Sequence, residues 1–295
     1  MNNSLAMGWI PDYPDFRDYT EENERIREIL EPTGMLTGIP RGDTKRAALP
    51  PAADLRQWCS PVEDQGRLGS CTANAGAGVI EYYERKSFGR HVESSRLFLY
   101  KTTRNLMKMK GDTGAYLRTT IGAMVIFGVP PEEYWPYTDA ADFDAEPPAF
   151  CYSFAQNYKT LLYYRHDPAA TGAATVLERL KTHLAAGHPA MFGFSVYSSI
   201  EQASATGEIP FPSPRDKMEG GHAVVAVGYD DGKEIRNAHA DRPTTGALLI
   251  RNSWGKEWGE AGYGWLPYEY LKKGLAEDFW SVLKKEWVDT GEFRI

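Results

Sequence analysis

The spacing of apolar residues changes about halfway along this chain. Up to residue 186, apolar residues recur at helical intervals and predict four helices, at about 71–88, 95–106, 116–127 and 175–186. After residue 189, short runs rich in Val, Ile and Phe predict strands, at 190–197, 222–229, 247–252, 262–266 and 279–283. Helices followed by strands indicate an α+β protein with two lobes, and ligand sites usually lie in the cleft between such lobes.

The composition is that of a soluble, acidic protein and disfavours several classes of partner. Of 295 residues, 33 are basic and 40 acidic, which leaves a net charge of −7 and no Lys or Arg block for nucleic acid or an anionic membrane. No apolar run approaches the roughly 20 residues that span a bilayer, and the start does not resemble a secretory signal. We therefore expect a cytoplasmic protein, with non-classical export left open.

The first 48 residues form a segment of different character. Residues 9–16 alternate aromatic residues with Pro and Asp, which is typical of extended chain and turns. Thr20 is then expected to cap a short helix with one apolar stripe, made of Ile26, Ile29 and Leu30. Residues 34–51 hold three glycines and three prolines, a composition typical of a linker, so we place a boundary near Leu49.

A cysteine stands where the first predicted helix of the main domain begins. In the segment 64–72, two glycines form a tight loop before Cys71. The helix dipole and free N–H groups at a helix N-terminus favour the thiolate form of a cysteine. From this loop alone, an inert buried cysteine is an equally good interpretation.

A histidine and an asparagine occupy comparable positions beside strands. His222 follows two glycines and opens an apolar strand, and Asn252 leaves a strand before two tryptophans set among glycines. Taken singly, a structural histidine and a packed turn would account for these segments. That structural interpretation is adopted for the other five histidines, which are His91, His166, His183, His188 and His239.

Together, in the order Cys, His, Asn, these segments resemble the papain-like cysteine peptidases. The resemblance rests on Gln65 six positions before Cys71, on Gly221-His222-Ala223 before a strand, and on Arg-Asn-Ser-Trp-Gly at 251–255. Residues 12–18 and 94–104 further resemble the bacterial xylellain-like members. The implied fold is α+β and two-lobed, with a helical lobe at about 60–155 and an antiparallel, β-barrel-like lobe at about 156–285. The chain would then divide into an extension, 1–48, and a peptidase domain, 49–295.

Three positions depart from the family's usual pattern. Leu68 stands where many members have a disulfide-bonded cysteine, Thr72 where they have Trp, and Gly221 where they have Asn or Asp. None of these changes removes a group that the chemistry needs. With Cys59 and Cys151 matched to no motif, we expect a chain without disulfides, as in a reducing cytosol.

The resemblance implies a role for each residue of the catalytic group. Cys71 would be the nucleophile, resting as a thiolate beside protonated His222, which later protonates the leaving amine. Asn252 would orient the imidazole, and Trp254 would shield that contact from water. The side-chain N–H of Gln65 and the backbone N–H of Cys71 would form the oxyanion hole. No metal or cofactor is implied.

The resemblance also places the substrate across the cleft. Gly114 and the carbonyl of Gly221 would bond the substrate backbone. The walls of the main specificity pocket would come from Ala115, Tyr116, Gly193, Gly220 and Ala223. Because four of these five are Gly or Ala, we expect a roomy, uncharged pocket that takes a large apolar side chain at the second residue before the scissile bond.

The leading interpretation is a monomeric endopeptidase acting on peptides or proteins. A catalytically silent peptide-binding protein of the same fold is one alternative, and an acyltransferase or transglutaminase with the same triad is another. The extension is interpreted as a zymogen-like cap over the cleft, cut at the linker 43–46. Its expected apolar anchors are Trp9, Ile10, Tyr13, Phe16 and Tyr19. The alternative is permanent packing of these aromatic residues on the back of the domain.

Overall fold

The computed structural model describes residues 5–33, 35–36, 48–159 and 162–283. Seven α-helices lie in this part of the chain: α1 (Glu24–Leu30), α2 (Cys71–Phe88), α3 (Arg96–Leu106), α4 (Leu117–Ile126), α5 (Ala149–Ala155), α6 (Ala173–Ala185) and α7 (Tyr268–Lys272). None of the described helices is long and apolar enough to cross a bilayer.

Helix α2 is the central helix, and local sequence signals set both of its ends. It begins at Cys71, after the Gly-rich loop, and ends at Gly89, whose φ of 70° is the left-handed conformation that commonly closes a helix. Its residues from Cys71 to Tyr83 are all buried. The helix therefore lies inside the protein, packed between α3 and α4 on one side and the sheet on the other.

Seven strands form one antiparallel sheet: β1 (Ala52–Asp54), β2 (Leu162–Arg165), β3 (Ala190–Tyr197), β4 (Met218–Ile235), β5 (Thr244–Arg251), β6 (Tyr263–Pro267) and β7 (Ala276–Leu283). The order is β2-β7-β3-β4-β5-β6, and β1 pairs with part of β4. Among the described strands, β2 and β6 do not pair with each other. The sheet is thus open, rather than the closed barrel that the expected lobe resembles.

The predicted elements are found, with several changes of length. The predicted strand at 222–229 is part of the eighteen-residue strand β4, because the polar stretch 230–246 continues the pairing of β4 with β5. Helices α5 and α7 and strands β1 and β2 were not predicted from the sequence. The helical elements of the first lobe precede residue 156 and six of the seven strands follow it, while the domain boundaries themselves stay a prediction.

The N-terminal extension contributes its own helix to the fold. Helix α1 is capped by the side chain of Asn23, which accepts from the N–H of Arg25, so the prediction of Thr20 as the cap was wrong. Ile26 and Leu30 are fully buried in a second apolar cluster, whose other buried members are Met35, Leu162, Tyr164 and Leu283. The extension therefore packs against β2 and β7 at the edge of the sheet, although both strands lie far from it in the sequence.

Candidate active site

Two elements that pack against each other carry the predicted nucleophile and the predicted histidine base. Cys71 is the first residue of α2, and His222 lies on β4, which packs against that helix. The backbone amide of Ala223, next to His222, acts to lower the pKa of the Cys71 thiol and so favours its thiolate form. Both side chains are fully buried.

A hydrogen bond to Asn252 fixes the orientation of His222. His222 Nε2 lies 2.8 Å from Asn252 Oδ1, which also accepts the N–H of Ser253 at 2.8 Å. Because that amide oxygen only accepts, Nε2 carries the proton and Nδ1 keeps its lone pair. Nδ1 has no hydrogen-bond partner among the described residues. It is therefore the nitrogen available to take a proton.

Trp254 stacks on the imidazole of His222, and its shielding of the bond to Asn252 stays a prediction. Its rings stack on the imidazole with centroids 4.3 Å apart and 20° between the planes. Trp258 packs edge-on against Trp254 at 5.2 Å. The two tryptophans exclude water from one face of the imidazole.

Gln65 is fully buried, and the chain holds its amide in place. Ser253 Oγ donates to Gln65 Oε1 at 2.6 Å, which directs Nε2 away from Ser253. That Nε2 donates to the carbonyl of Leu68 at 2.8 Å and to the carbonyl of Ala6 at 3.3 Å. Gln65 therefore presents an N–H group to a carbonyl in the cleft, as an oxyanion donor must.

Comparison with known proteins shows the family of the chain. A model of the papain family of cysteine proteases matches residues 49–280. The chain belongs to the papain family. It is therefore a cysteine peptidase, a hydrolase, and its α+β two-lobed fold is that of the family.

Three similar proteins span most of the chain. Xylellain, a cysteine protease from Xylella fastidiosa of known structure, is 37% identical with a TM-score of 0.72, over 94% of this chain and 96% of its own. The uncharacterized peptidase C1-like protein L477 of Acanthamoeba polyphaga mimivirus is 36% identical, over 95% of this chain and 87% of its own. Cathepsin B-like CP3 of Giardia intestinalis is 26% identical, over 88% of this chain and 84% of its own.

In this papain-family chain, residues 5–10 of the extension lie in the cleft. The amides of Gly8 and Trp9 both donate to the carbonyl of Gly221 at 3.1 Å. On the facing wall, the amide of Ala115 donates to the carbonyl of Gly8 at 2.8 Å, and Ile10 donates to the carbonyl of Ala115 at 3.1 Å. The segment thus bridges both walls of the cleft.

Gly114 lies beside the segment in the cleft and bonds to the protein itself. Its N–H is bonded to the hydroxyl of Tyr100 at 3.0 Å, while Ala115 makes the backbone bonds to the segment. Gly114 has a φ of 72°, and a Cβ added there would overlap the carbonyl of Gly8. Because Gly114 has no Cβ, the backbone of Gly8 can approach it closely. Its substrate bonding stays a prediction, and Ala115 is the better candidate.

The indole of Trp9 fills a pocket beside β3 and β4. A Cβ at Gly193 would overlap its rings, and one at Gly221 would lie 2.9 Å from them, so both glycines make room for an aromatic side chain. At the end of the pocket, the indole N–H donates to Asp278 Oδ2 at 3.2 Å. The pocket thus differs from the uncharged lining that we expected, because a carboxylate from β7 closes it.

The remaining predicted pocket residues surround other parts of the cleft. A Cβ at Gly220 would meet Met7 Sδ at 2.8 Å rather than Trp9. Ala223 faces Cys71 through its amide. Tyr116 is half-buried and precedes α4. Their roles in substrate binding stay predictions.

Burial favours the neutral forms of both Cys71 and His222. Desolvation raises the pKa of the Cys71 thiol to about 12, although the amides of Ala223 and Gly8 act in the opposite direction. Desolvation lowers the pKa of His222 to about 4, although the bond to Asn252 raises it. Both shifts favour the neutral forms in this closed arrangement, and the thiolate–imidazolium pair stays a prediction.

Arginines of the domain hold the extension beyond Trp9. Arg118 forms ion pairs with Asp12 and with Asp18, the latter at 2.7 Å, and also donates to the carbonyl of Tyr13 at 2.8 Å. Arg165 lies 3.2 Å from Asp278 and donates to the carbonyl of Asp12 at 3.2 Å. Arg165 thus contacts both the carboxylate of Asp278 in the pocket and the backbone of the extension.

The expected aromatic anchors of the extension divide into two groups. Trp9 and Ile10 lie in the cleft, and Tyr19 packs edge-on against Tyr163. Tyr13 and Phe16, however, are 89% and 97% exposed, so their expected role as anchors was wrong. The linker 43–46 lies outside the described residues.

Proposed function

We propose that this papain-family protein is a latent endopeptidase with a Cys71–His222–Asn252 triad. The observation that carries the proposal is the backbone bonding of Gly8, Trp9 and Ile10 to both cleft walls. A main chain placed in this way supports a cleft that accepts an extended peptide beside the nucleophile.

Catalysis would begin when the segment leaves the cleft and water relieves the desolvation of both groups. Cys71 then transfers its proton to Nδ1 of His222 and attacks the carbonyl carbon of the scissile peptide. The resulting oxyanion accepts hydrogen bonds from Gln65 Nε2 and from the amide of Cys71. His222 protonates the leaving amine as the C–N bond breaks, which leaves a thioester on Cys71. A water molecule, deprotonated by His222, hydrolyses the thioester and releases the acid.

Latency follows from which groups the segment occupies. Ala6 accepts from Gln65 and, at 3.0 Å, from the indole N–H of Trp254, so its carbonyl engages the donor proposed for the oxyanion. Gly8 lies against Gly69, where an added Cβ would overlap the backbone. The segment fits the cleft because its residue nearest the nucleophile is glycine.

Substitution of Cys71 tests the catalytic part of the proposal. We expect Cys71→Ala to abolish hydrolysis of small peptides, because triad losses usually cost about 10⁴-fold or more. Gln65→Ala should lower kcat by about 10²–10³-fold, the usual cost of one oxyanion donor. Gln156→Ala is the matched control, since Gln156 is exposed and remote from the cleft. More than about a tenth of the wild-type rate in Cys71→Ala would overturn the assignment.

A further inference from the structure

A buried group of possible metal ligands joins the extension to the peptidase domain. Glu21 precedes α1, His166 follows β2, and His183 lies on α6. All three are buried, and one ligand atom from each lies within 4.8 Å of the others. Glu21 Oε1 and His183 Nε2 are 4.0 Å apart. Two imidazoles and a carboxylate from three separate chain segments therefore meet in one place.

Hydrogen bonds on the far side of each ring direct the lone pairs toward this place. His183 Nδ1 lies 2.7 Å from the carbonyl of Arg179, which can only accept, so Nδ1 carries the proton. His166 Nε2 lies 2.8 Å from Ser281 Oγ, whose own proton goes to the carbonyl of Pro189. His166 Nε2 therefore donates, and its Nδ1 is left with the lone pair.

The Nδ1 atom of His166 is the strongest indication that a ligand binds at this place. His166 is fully buried, and its Nδ1 has no hydrogen-bond partner among the described residues. A neutral imidazole whose other nitrogen is held by a protein acceptor is the form in which histidine binds metal ions.

We propose that Glu21, His166 and His183 bind one divalent metal ion of the zinc class, which fastens the N-terminal extension to the peptidase domain. Nitrogen and carboxylate oxygen are zinc ligands, and three protein ligands leave one tetrahedral position for water. Metal–ligand bonds of about 2.1 Å place tetrahedral ligand atoms about 3.4 Å apart, so these side chains need to close by about 1 Å. From the sequence, by contrast, we expected no metal and interpreted both histidines as structural.

Arg179 is the cation that competes with the metal. Its Nε lies 3.5 Å from Glu21 Oε2, and its Nη1 donates to the carbonyl of His166 at 2.9 Å. Arg179 therefore pairs with the other carboxylate oxygen, while Oε1 faces His183. The metal would join groups that Arg179 already holds near one another.

Metal binding can be measured separately from peptidase activity. The full chain carrying Cys71→Ser is used, which removes the catalytic thiol as a zinc ligand and makes the result independent of the proposed function. We expect one zinc per chain by elemental analysis. We also expect a tetrahedral absorption band when cobalt(II) replaces zinc.

Matched substitutions then test the site itself. Glu21→Gln keeps the shape of the side chain and removes its charge, and we expect it to weaken zinc binding by at least about 100-fold. Glu22→Gln is the control, because Glu22 is its exposed neighbour. His183→Gln is compared with His239→Gln in the same way, with circular dichroism to confirm folding.

Chelation distinguishes a metal site from a cluster of side chains that only packs. Removal of the bound metal by a chelator should speed amide hydrogen exchange of residues 5–12 in the parent chain. The same treatment should leave the exchange rates of Glu21→Gln unchanged. Absence of stoichiometric zinc and of the cobalt band would overturn the proposal. Zinc that binds equally well to Glu21→Gln and to the parent would also overturn it.

Discussion

The indole N–H of Trp9 donates to Asp278 Oδ2 at 3.2 Å, so one side chain of the extension and one buried carboxylate of β7 close the same pocket. Asp278 is also bonded by the indole of Trp280 at 2.7 Å and paired with Arg165. Its φ of 66° turns its carboxylate out of the usual strand pattern. The pocket therefore accepts an aromatic ring that carries a donor, and Trp9 is such a ring.

Trp9→Ala should activate the full chain. Removing a buried Trp usually costs about 3–5 kcal/mol, which corresponds to an opening equilibrium shifted by about 100-fold or more. Phe16→Ala, which removes an exposed aromatic side chain of the same extension, should have no effect. The rates of small-peptide hydrolysis check this, and equal rates in both variants would show that Trp9 does not close the cleft.

The pocket should distinguish substrates by a single N–H group. With Trp at the second residue before the scissile bond, we expect kcat/KM to exceed that for N1-methyl-Trp by about fivefold, since one hydrogen bond contributes about 1 kcal/mol. The Gly8→Ala chain is the enzyme for this assay. Arg as the best residue would contradict the account, because Arg165 already pairs with Asp278.

Arg118→Ala should release the extension more weakly than Trp9→Ala. Arg118 is about a quarter exposed, and its ion pairs with Asp12 and Asp18 should contribute roughly 1 kcal/mol. We expect activity to rise by about fivefold. Arg17→Ala is the control, because Arg17 pairs with Asp15 inside the extension. An unchanged rate in Arg118→Ala would show that these pairs do not hold the segment.

The ionisations of His222 and Asp278 should affect the opening of the cleft in opposite directions as the pH changes. His222 has a pKa of about 4 in the closed form and nearer 6.5 in water. Between these two pH values only the open form is protonated at His222. Opening of the cleft is therefore favoured as the pH falls from about 6.5 to 4. Burial raises the pKa of Asp278 to about 7, and water lowers it in the open form, so the same fall in pH favours closing. The ratio of the wild-type rate of peptide hydrolysis to that of Gly8→Ala should therefore change little with pH.

Asp278→Asn separates the two effects, because Asn tolerates a positive φ and does not titrate. In that background we expect the ratio to rise by up to about tenfold per pH unit between about 6.5 and 4. The ratio cancels the ionisations of catalysis itself. A ratio that falls with acidification in Asp278→Asn would refute the assignment to His222.

Local signals account for the parts of this fold that could be predicted from sequence. Helix α2 was found because Gly89 closes it, and the family was recognisable because the motifs around Cys71, His222 and Asn252 are short and independent. Strand β2 was missed because its partner β7 lies more than a hundred residues further on. Asp278 was missed because nothing in a strand sequence indicates a positive φ that turns its side chain into the pocket.

The extension was predicted only in part, for a related reason. Its extended start and Trp9 were recognisable, but the exposure of Tyr13 and Phe16 depends on which surfaces of the domain they face. The burial of Ile26 and Leu30 depends on Leu162 and Leu283, which no local pattern connects to them. Removing residues 1–46 would therefore expose an apolar surface, so point substitutions test latency more cleanly than truncation.

The most direct test of a latent triad is the rate at which an epoxide that alkylates activated papain-type thiols labels Cys71. Gly8→Ala adds one Cβ that overlaps the backbone of Gly69, whereas Gly122→Ala adds one that meets nothing within 4 Å. Near neutral pH, we expect Gly8→Ala to be labelled at Cys71 at least about tenfold faster than the wild-type chain, and Gly122→Ala at the wild-type rate. Equal labelling of Gly8→Ala and the wild type, or no labelling of Cys71 in any of them, would contradict the account.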